Sequence, residues 1–216
     1  MPKVHPIILC LVIGAILFTA PALAESGDRI HPGSQKWVPI QHGDDWSPTY
    51  DNMVKLPALR QKVVFSGLSP EERSKIWAER IQRYMETHRK LSSDQMALLA
   101  DALDLVRHTT LFARDVEGTD EQMWDLFYKE SLKEIKERAQ QLFSRDSIIE
   151  IFGNLNKNPN SMTKSADPDC GCNTGSDFCG TSHMCSGGGC WGSGMGCGWV
   201  WLENCNGVCA RVLLPF

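Results

Sequence analysis

The chain has 216 residues and a net charge of −4, from 22 Lys/Arg and 26 Asp/Glu. That length admits one or two domains. No stretch offers the cationic face that phosphate backbones require, which argues against a nucleic-acid partner.

The first 24 residues have the three zones of a secretory signal. Lys3 supplies the positive start, Ile7 to Phe18 is an almost unbroken apolar run, and Ala22-Leu23-Ala24 forms an A-x-A cleavage site. Cleavage between Ala24 and Glu25 would remove Cys10 and leave eight cysteines. The apolar run is shorter than the roughly 20 residues a bilayer demands. A secreted or periplasmic product with no stable transmembrane segment is expected.

Residues 25–155 are expected to form a helical region. His31 and His42 fall in its irregular, Pro- and Gly-containing start, and a short helix is expected near Leu59 to Phe65. Ser69-Pro70-Glu71-Glu72 then combines an N-cap serine, a proline at the first helical position and a glutamate able to reach back to the cap. Ser92 with Gln95 repeats the device, and so does Thr119 with Gln122. Each precedes an apolar stripe of helical period. The first stripe is Ile76, Trp77, Ile81, Tyr84 and Met85, and the second is Met96, Leu99, Leu103 and Val106. The third is Trp124, Phe127, Ile135, Ala139 and Leu142. Ile148, Ile149 and Phe152 either extend this last helix or form a further one ending at Gly153. Such helices must each bury one face, which predicts a small antiparallel bundle. Lys129, Lys133 and Lys136, interleaved with Glu130, Glu134 and Glu137, read as a solvated face. His88 and His108 lie near helix ends without ligands at metal spacing. No catalytic motif stands out, so an enzyme is not expected.

From Gly153 the chain turns to Asn, Pro and Ser, and residues 156–169 read as a flexible linker open to a processing protease. Residues 170–216 form the cysteine-rich end, with Cys170, Cys172, Cys179, Cys185, Cys190, Cys197, Cys205 and Cys209. A unit this small needs cross-links, and an even cysteine set behind an export signal reads as four disulfides. Their connectivity is open, since eight cysteines allow 105 pairings. Zinc-ligand spacing fits poorly, and no metal or other cofactor is assigned. Trp199 and Trp201 alternate with Val200 and Leu202 as in a strand, and Asn206-Gly207 signals a hairpin whose second strand starts at Val208. Trp191, Trp199 and Trp201 either stand exposed for target contact or pack over the disulfides as a minimal core.

The segment Cys170-Gly171-Cys172-Asn173-Thr174-Gly175-Ser176-Asp177-Phe178-Cys179 resembles the opening of the bacteriocin fulvocin C. Gly196-Cys197-Gly198-Trp199-Val200 and Cys205-Asn206-Gly207 resemble its later segments, although spacing after Cys179 departs from it. In architecture the whole chain is similar to the bacteriocin fulvocin C-related family: signal, helical middle, cysteine-rich end. The resemblance implies a secreted antibacterial precursor whose tail acts at a bacterial cell envelope or surface receptor. The other expectation is a secreted binding module that is never processed and has no toxicity. A protease inhibitor presenting a stapled loop such as Ser186 to Gly189, or a disulfide-rich hydrolase, is a more distant reading.

Overall fold

Seven α-helical segments precede four short strands among the residues that the computed structural model describes, 46–114, 120–156, 171–176, 178–179, 183–188 and 193–211. The helices are α1 (Tyr50–Met53), α2 (Ala58–Ser66), α3 (Pro70–Thr87), α4 (Ser93–Arg107), α5 (Glu121–Trp124), α6 (Glu130–Leu142) and α7 (Arg145–Ile148). The strands are β1 (His183–Gly187), β2 (Ser193–Cys197), β3 (Glu203–Cys205) and β4 (Gly207–Arg211). A helical part and a small disulfide-rich part with antiparallel strand pairs are both present, as the sequence predicts. The expected signal with its Ala24/Glu25 junction, together with His31 and His42, lies outside the described residues.

The capping boxes start the two long helices. Ser69 Oγ accepts from Glu72 N, while the Glu72 carboxylate accepts from Ser69 N at 2.8 Å. Ser92 and Gln95 do the same for α4, and Gln95 Nε2 also donates to Leu142 O at 2.7 Å, tying α4 to the end of α6. The third cap differs from expectation. Asp120 Oδ1 accepts from Gln122 N and Met123 N, while Thr119 lies outside the described residues. A carboxylate beside free N–H groups also complements the helix dipole.

α5 does not run straight into α6. A π turn, Asp125–Lys129, joins them. One extra residue in the turn rotates the apolar stripe. Trp124, Ile135 and Ala139 therefore face the core, while Phe127, expected inside, is 61% exposed beside Leu126 at 71%. After Phe143 the backbone becomes extended, and Ser144 caps a new helix, α7, which ends in a second π turn at Ile149–Gly153. The separate short helix is thus the arrangement found. α3 packs on α4, and α4 on α6.

The last residues before the expected linker are core. Leu155 is fully buried, Tyr50 Oη donates to its carbonyl at 2.8 Å, and Gln61 Nε2 donates to Asn156 Oδ1 at 3.1 Å. Residues 157–169 lie outside the described residues.

Two buried arginines on α3 donate to backbone carbonyls at or near helix ends. Arg73 donates to Phe65 O and Ser66 O at the end of α2 and to Phe112 O. Arg80 donates to Asn154 O and Glu150 O at the second π turn. Terminal carbonyls need such partners, and a cation suits the negative end of a helix.

The strands pair as β1 with β4 and as β2 with β3, both antiparallel. The hairpin expected at Asn206-Gly207 is therefore not the one formed. β3 and β4 follow each other in sequence but belong to different sheets: Cys205 of β3 is bonded to Cys197 of β2, whereas Cys209 of β4 lies opposite Cys185 of β1. Gly207 is required for a different reason: a Cβ there would lie 2.6 Å from Ser186 O and 2.7 Å from Cys185 Sγ. Asn206 instead anchors the tail's first loop, accepting from Thr174 N at 2.8 Å and donating its own N–H to Cys172 O at 2.9 Å.

All described residues belong to one compact unit, His42–Phe216, in which residues from the helices and the tail share one hydrophobic core. Among the described residues no helix is long and apolar enough to cross a membrane.

Candidate functional site

Among the described residues, three disulfides organise the tail: Cys172–Cys185, Cys179–Cys209 and Cys197–Cys205. Cys170 and Cys190 lie outside the described residues, as does Trp191. The sulfurs of Cys172, Cys179 and Cys209 lie within 4.8 Å of one another, a separation that thiolates around a metal would also show. Here each is bonded in a pair, so the cluster is two neighbouring disulfides that link the tail's first loop to the β1–β4 pair.

The third disulfide closes a loop eight residues apart in sequence, and that loop carries the aromatic residues singled out above. Gly198 to Trp201 is not a strand. Gly198 has φ 72°, Val200 φ 43° and Trp201 φ 59°, so three residues lie in left-handed conformations. A β-branched residue there costs on the order of 1–3 kcal/mol. Surrounding contacts must offset that cost, and they do so by driving both tryptophans into the helical region.

Trp201 is 2% exposed. Its ring meets Phe65 of α2 edge-on at 5.2 Å and Trp77 of α3 at 5.6 Å, and its indole N–H donates to Gly153 O at 2.9 Å. Trp199 is 7% exposed and lies against Phe152 at 4.7 Å and Phe178 at 5.4 Å. The expectation of exposed target contacts at Trp199 and Trp201 is thus not met in the joined chain. Nor do they form a core of their own over the disulfides. A unit the size of the tail cannot cover two indoles, and the helices supply the missing wall. Gly153 is tied to this packing, since a Cβ there would fall 2.9 Å from the Phe178 ring.

Polar contacts flank this aromatic plug. Lys136 Nζ of α6 lies 3.5 Å from Glu203 Oε1 of β3 and 5.9 Å from the centre of the Trp199 ring. Ser176 donates to the other Glu203 oxygen at 2.5 Å. Lys136, read from sequence as part of a solvated face, therefore also reaches across to the tail. Lys133 does pair locally with Glu130, at 3.8 Å.

Lys62 is the least expected member of the site. It is buried on α2, where Nζ donates to Gly171 O and lies 3.4 Å from Cys197 Sγ. Burial alone pushes its pKa down to about 8. Gly196, at φ 141°, abuts its stem; a Cβ there would sit 3.0 Å from Lys62 Cβ. Arg73 extends the same line of contact, with Nη1 3.5 Å from Met195 Sδ. Sequence reasoning missed Lys62, Arg73 and Arg80 because it placed only apolar residues inside. For the arginines a signal existed: Arg73 and Arg80 fall on the stripe of Trp77 and Tyr84, spaced by four, three and four.

His88 stacks on Tyr84 at 3.8 Å, and its ring Nδ1 lies 2.9 Å from the Tyr84 carbonyl. His108 Nε2 lies 4.0 Å from Asp104 on the surface. Ser186 and Gly187, proposed above as part of a presented loop, are instead paired within β1, opposite Val208 and Gly207. Comparison with protein-family models, curated proteins and solved structures finds no match to this chain.

Proposed function

We propose that the chain is the exported precursor of a bacteriocin-like peptide, in which residues 25–155 shield the aromatic loop of residues 170–216. The burial of Trp199 and Trp201 against Phe152, Phe65 and Trp77 carries this reading. Indoles belong among the side chains that bind envelope surfaces and receptors once exposed. A tail that must be kept inert until export would be held in this way. The disulfides fit an oxidising compartment, and the fulvocin-like cysteine segments supply the class of activity.

Scission of the linker does not by itself free the tail. About 200 Å² of each indole leaves water, worth about 5 kcal/mol apiece. Release therefore needs a competing surface, and a bacterial envelope that accepts the same indoles is one. The test is growth inhibition of related bacteria by the purified, oxidised tail and by the intact chain. The tail is expected to inhibit at concentrations at least tenfold lower. A tail inert towards every strain tried, or an intact chain of equal potency, overturns the proposal.

One observation favours the unprocessed binding module instead. Met123, Leu126 and Phe127 are exposed together around the first π turn, next to a cleft between α4 and α6 lined by Asp101, His108 and Arg138. An exposed apolar patch beside a polar-lined cleft suits a partner that binds the intact chain. Secreted material with both parts still covalently joined, and without inhibitory activity, decides for that reading.

A further inference from the structure

We infer that the helical region also templates the oxidation of the tail, with Lys62 stabilising the Cys197 thiolate that attacks to form the Cys197–Cys205 bond. The same groove serves both roles, but this one holds whether or not the tail is later released.

The geometry supplies template and charge together. β2 lies against α2, with Gly196 on the stem of Lys62 and Met195 at Arg73. Three groups hold the far side of the loop: Trp201 in its aromatic seat, Glu203 on Lys136, and Ser176 on Glu203. Docking these side chains brings Cys197 and Cys205 to a Cα separation of 5.1 Å, within bonding range, even though the loop between them carries three left-handed residues that a free chain avoids. Cys197 and Cys205 are both 1% exposed, so in the finished protein the bond is sealed inside the contact. The amine of Lys62 sits 3.4 Å from Cys197 Sγ.

To the charge around this point α2 contributes Lys62, α3 contributes Arg73, and the tail contributes Glu203, which Lys136 and Ser176 already hold. Among the described residues no carboxylate contributes to the Lys62 pKa, which burial alone lowers. A nearby thiolate would hold the ammonium form, and the ammonium would hold the thiolate, because opposite charges within about 4–6 Å favour each other.

The step balances with a disulfide as oxidant. Before the loop is fully seated, while its sulfur is still open to solvent, the Cys197 thiolate beside Lys62 attacks one sulfur of an exogenous disulfide such as oxidised glutathione, forming a mixed disulfide and expelling one thiolate. Cys205, deprotonated to solvent, then attacks the Cys197 sulfur and expels the second thiolate. Two protein thiols are oxidised, one exogenous disulfide is reduced to two thiols, and the protons pass to those thiolates or to water.

The test removes Cys205 so that Cys197 stays free, then titrates its thiolate absorbance. Cys205→Ser is compared with Cys205→Ser/Lys62→Gln, with near-UV circular dichroism confirming that both are folded; the difference between the two curves is read. The Cys197 midpoint is expected at least one pH unit lower when Lys62 is present. Equal midpoints overturn the inference. Because either variant can fail to fold, a second arm uses the unmutated chain, reduced and then exposed to oxidised glutathione. Capture of Cys197, read by peptide mass after acid quench, should slow only about fourfold between pH 8 and 6.5 in native buffer, as for a thiol near pKa 7. In denaturant the same reaction should slow about twentyfold, as for an ordinary thiol near 8.5. The same slowing in both buffers overturns the inference. Either failure leaves the shield reading standing, whereas an inert purified tail ends the shield reading and leaves this one intact.

Discussion

Trp201 is the residue on which the contact between helices and tail turns. It fills a seat made by Phe65, Trp77 and the Gly153 carbonyl. Trp201→Ala is expected to destabilise the intact chain by about 3–5 kcal/mol, as for other buried aromatics. Urea unfolding followed by far-UV circular dichroism would register it; a cost below about 1 kcal/mol would show that the seat contributes little. Lys62 gives the contact a pH dependence with a definite sign. Its pKa falls from 10.5 in the unfolded chain to about 8 in the fold. Between those values the unfolded chain binds more protons, so stability rises with pH there and is flat with respect to this group below pH 8. The expected gain between pH 7 and 9.5 is about 2 kcal/mol, and Lys62→Met should abolish it. Urea midpoints at the two pH values for both proteins check the sign.

Among the elements, α3 and α4 owe their start sites to local chemistry, and the tail's strands do not. The capping boxes at Ser69 and Ser92 satisfy donors within three residues, so they act wherever the chain goes next. Ser92→Ala should cost about 1 kcal/mol. It should also loosen the end of α6, since Gln95, which completes the box, donates to Leu142 O as well. Hydrogen exchange at residues 139–142 would report the loosening, and unchanged protection there would separate the cap from the α6 contact. The π turn at Asp125–Lys129 is an element of another kind. It turns Phe127, a member of the third apolar stripe, to solvent beside Leu126.

For the molecule as a whole, cutting the backbone and separating the parts are different events. The core runs without interruption from Met53 and Phe65 through Trp77 and Phe152 to Trp199 and Trp201. A protease site introduced within residues 157–169 and then cleaved should leave two chains that co-elute in gel filtration. Their separation should require denaturant. Fragments that part spontaneously after cleavage would show that the shared core is too weak to act as a shield.

The sequence by itself determined the features that are settled within a few residues. These include the helices opened by Ser69 and Ser92, the short helix around Leu59 to Phe65, and the confinement of the cross-links to the last fifty residues; it left open whether Ile148 to Phe152 extend the last long helix or form their own. It also pointed to the tail's tryptophans as its telling side chains, but it put them on the surface or over the disulfides. Only the tertiary structure decided that Trp199 and Trp201 are core, that Leu155, just before the expected linker, is fully buried, and that Gly207 pairs with Gly187 rather than turning a hairpin. The reason is range. A cap or an apolar stripe finds its partners three or four positions away, so spacing alone reveals it. The seat of Trp201 joins residues separated by more than a hundred positions, and the amine of Lys62 reaches Cys197 across 135. Such meetings are fixed only when helices and disulfides together leave a single arrangement that covers both indoles.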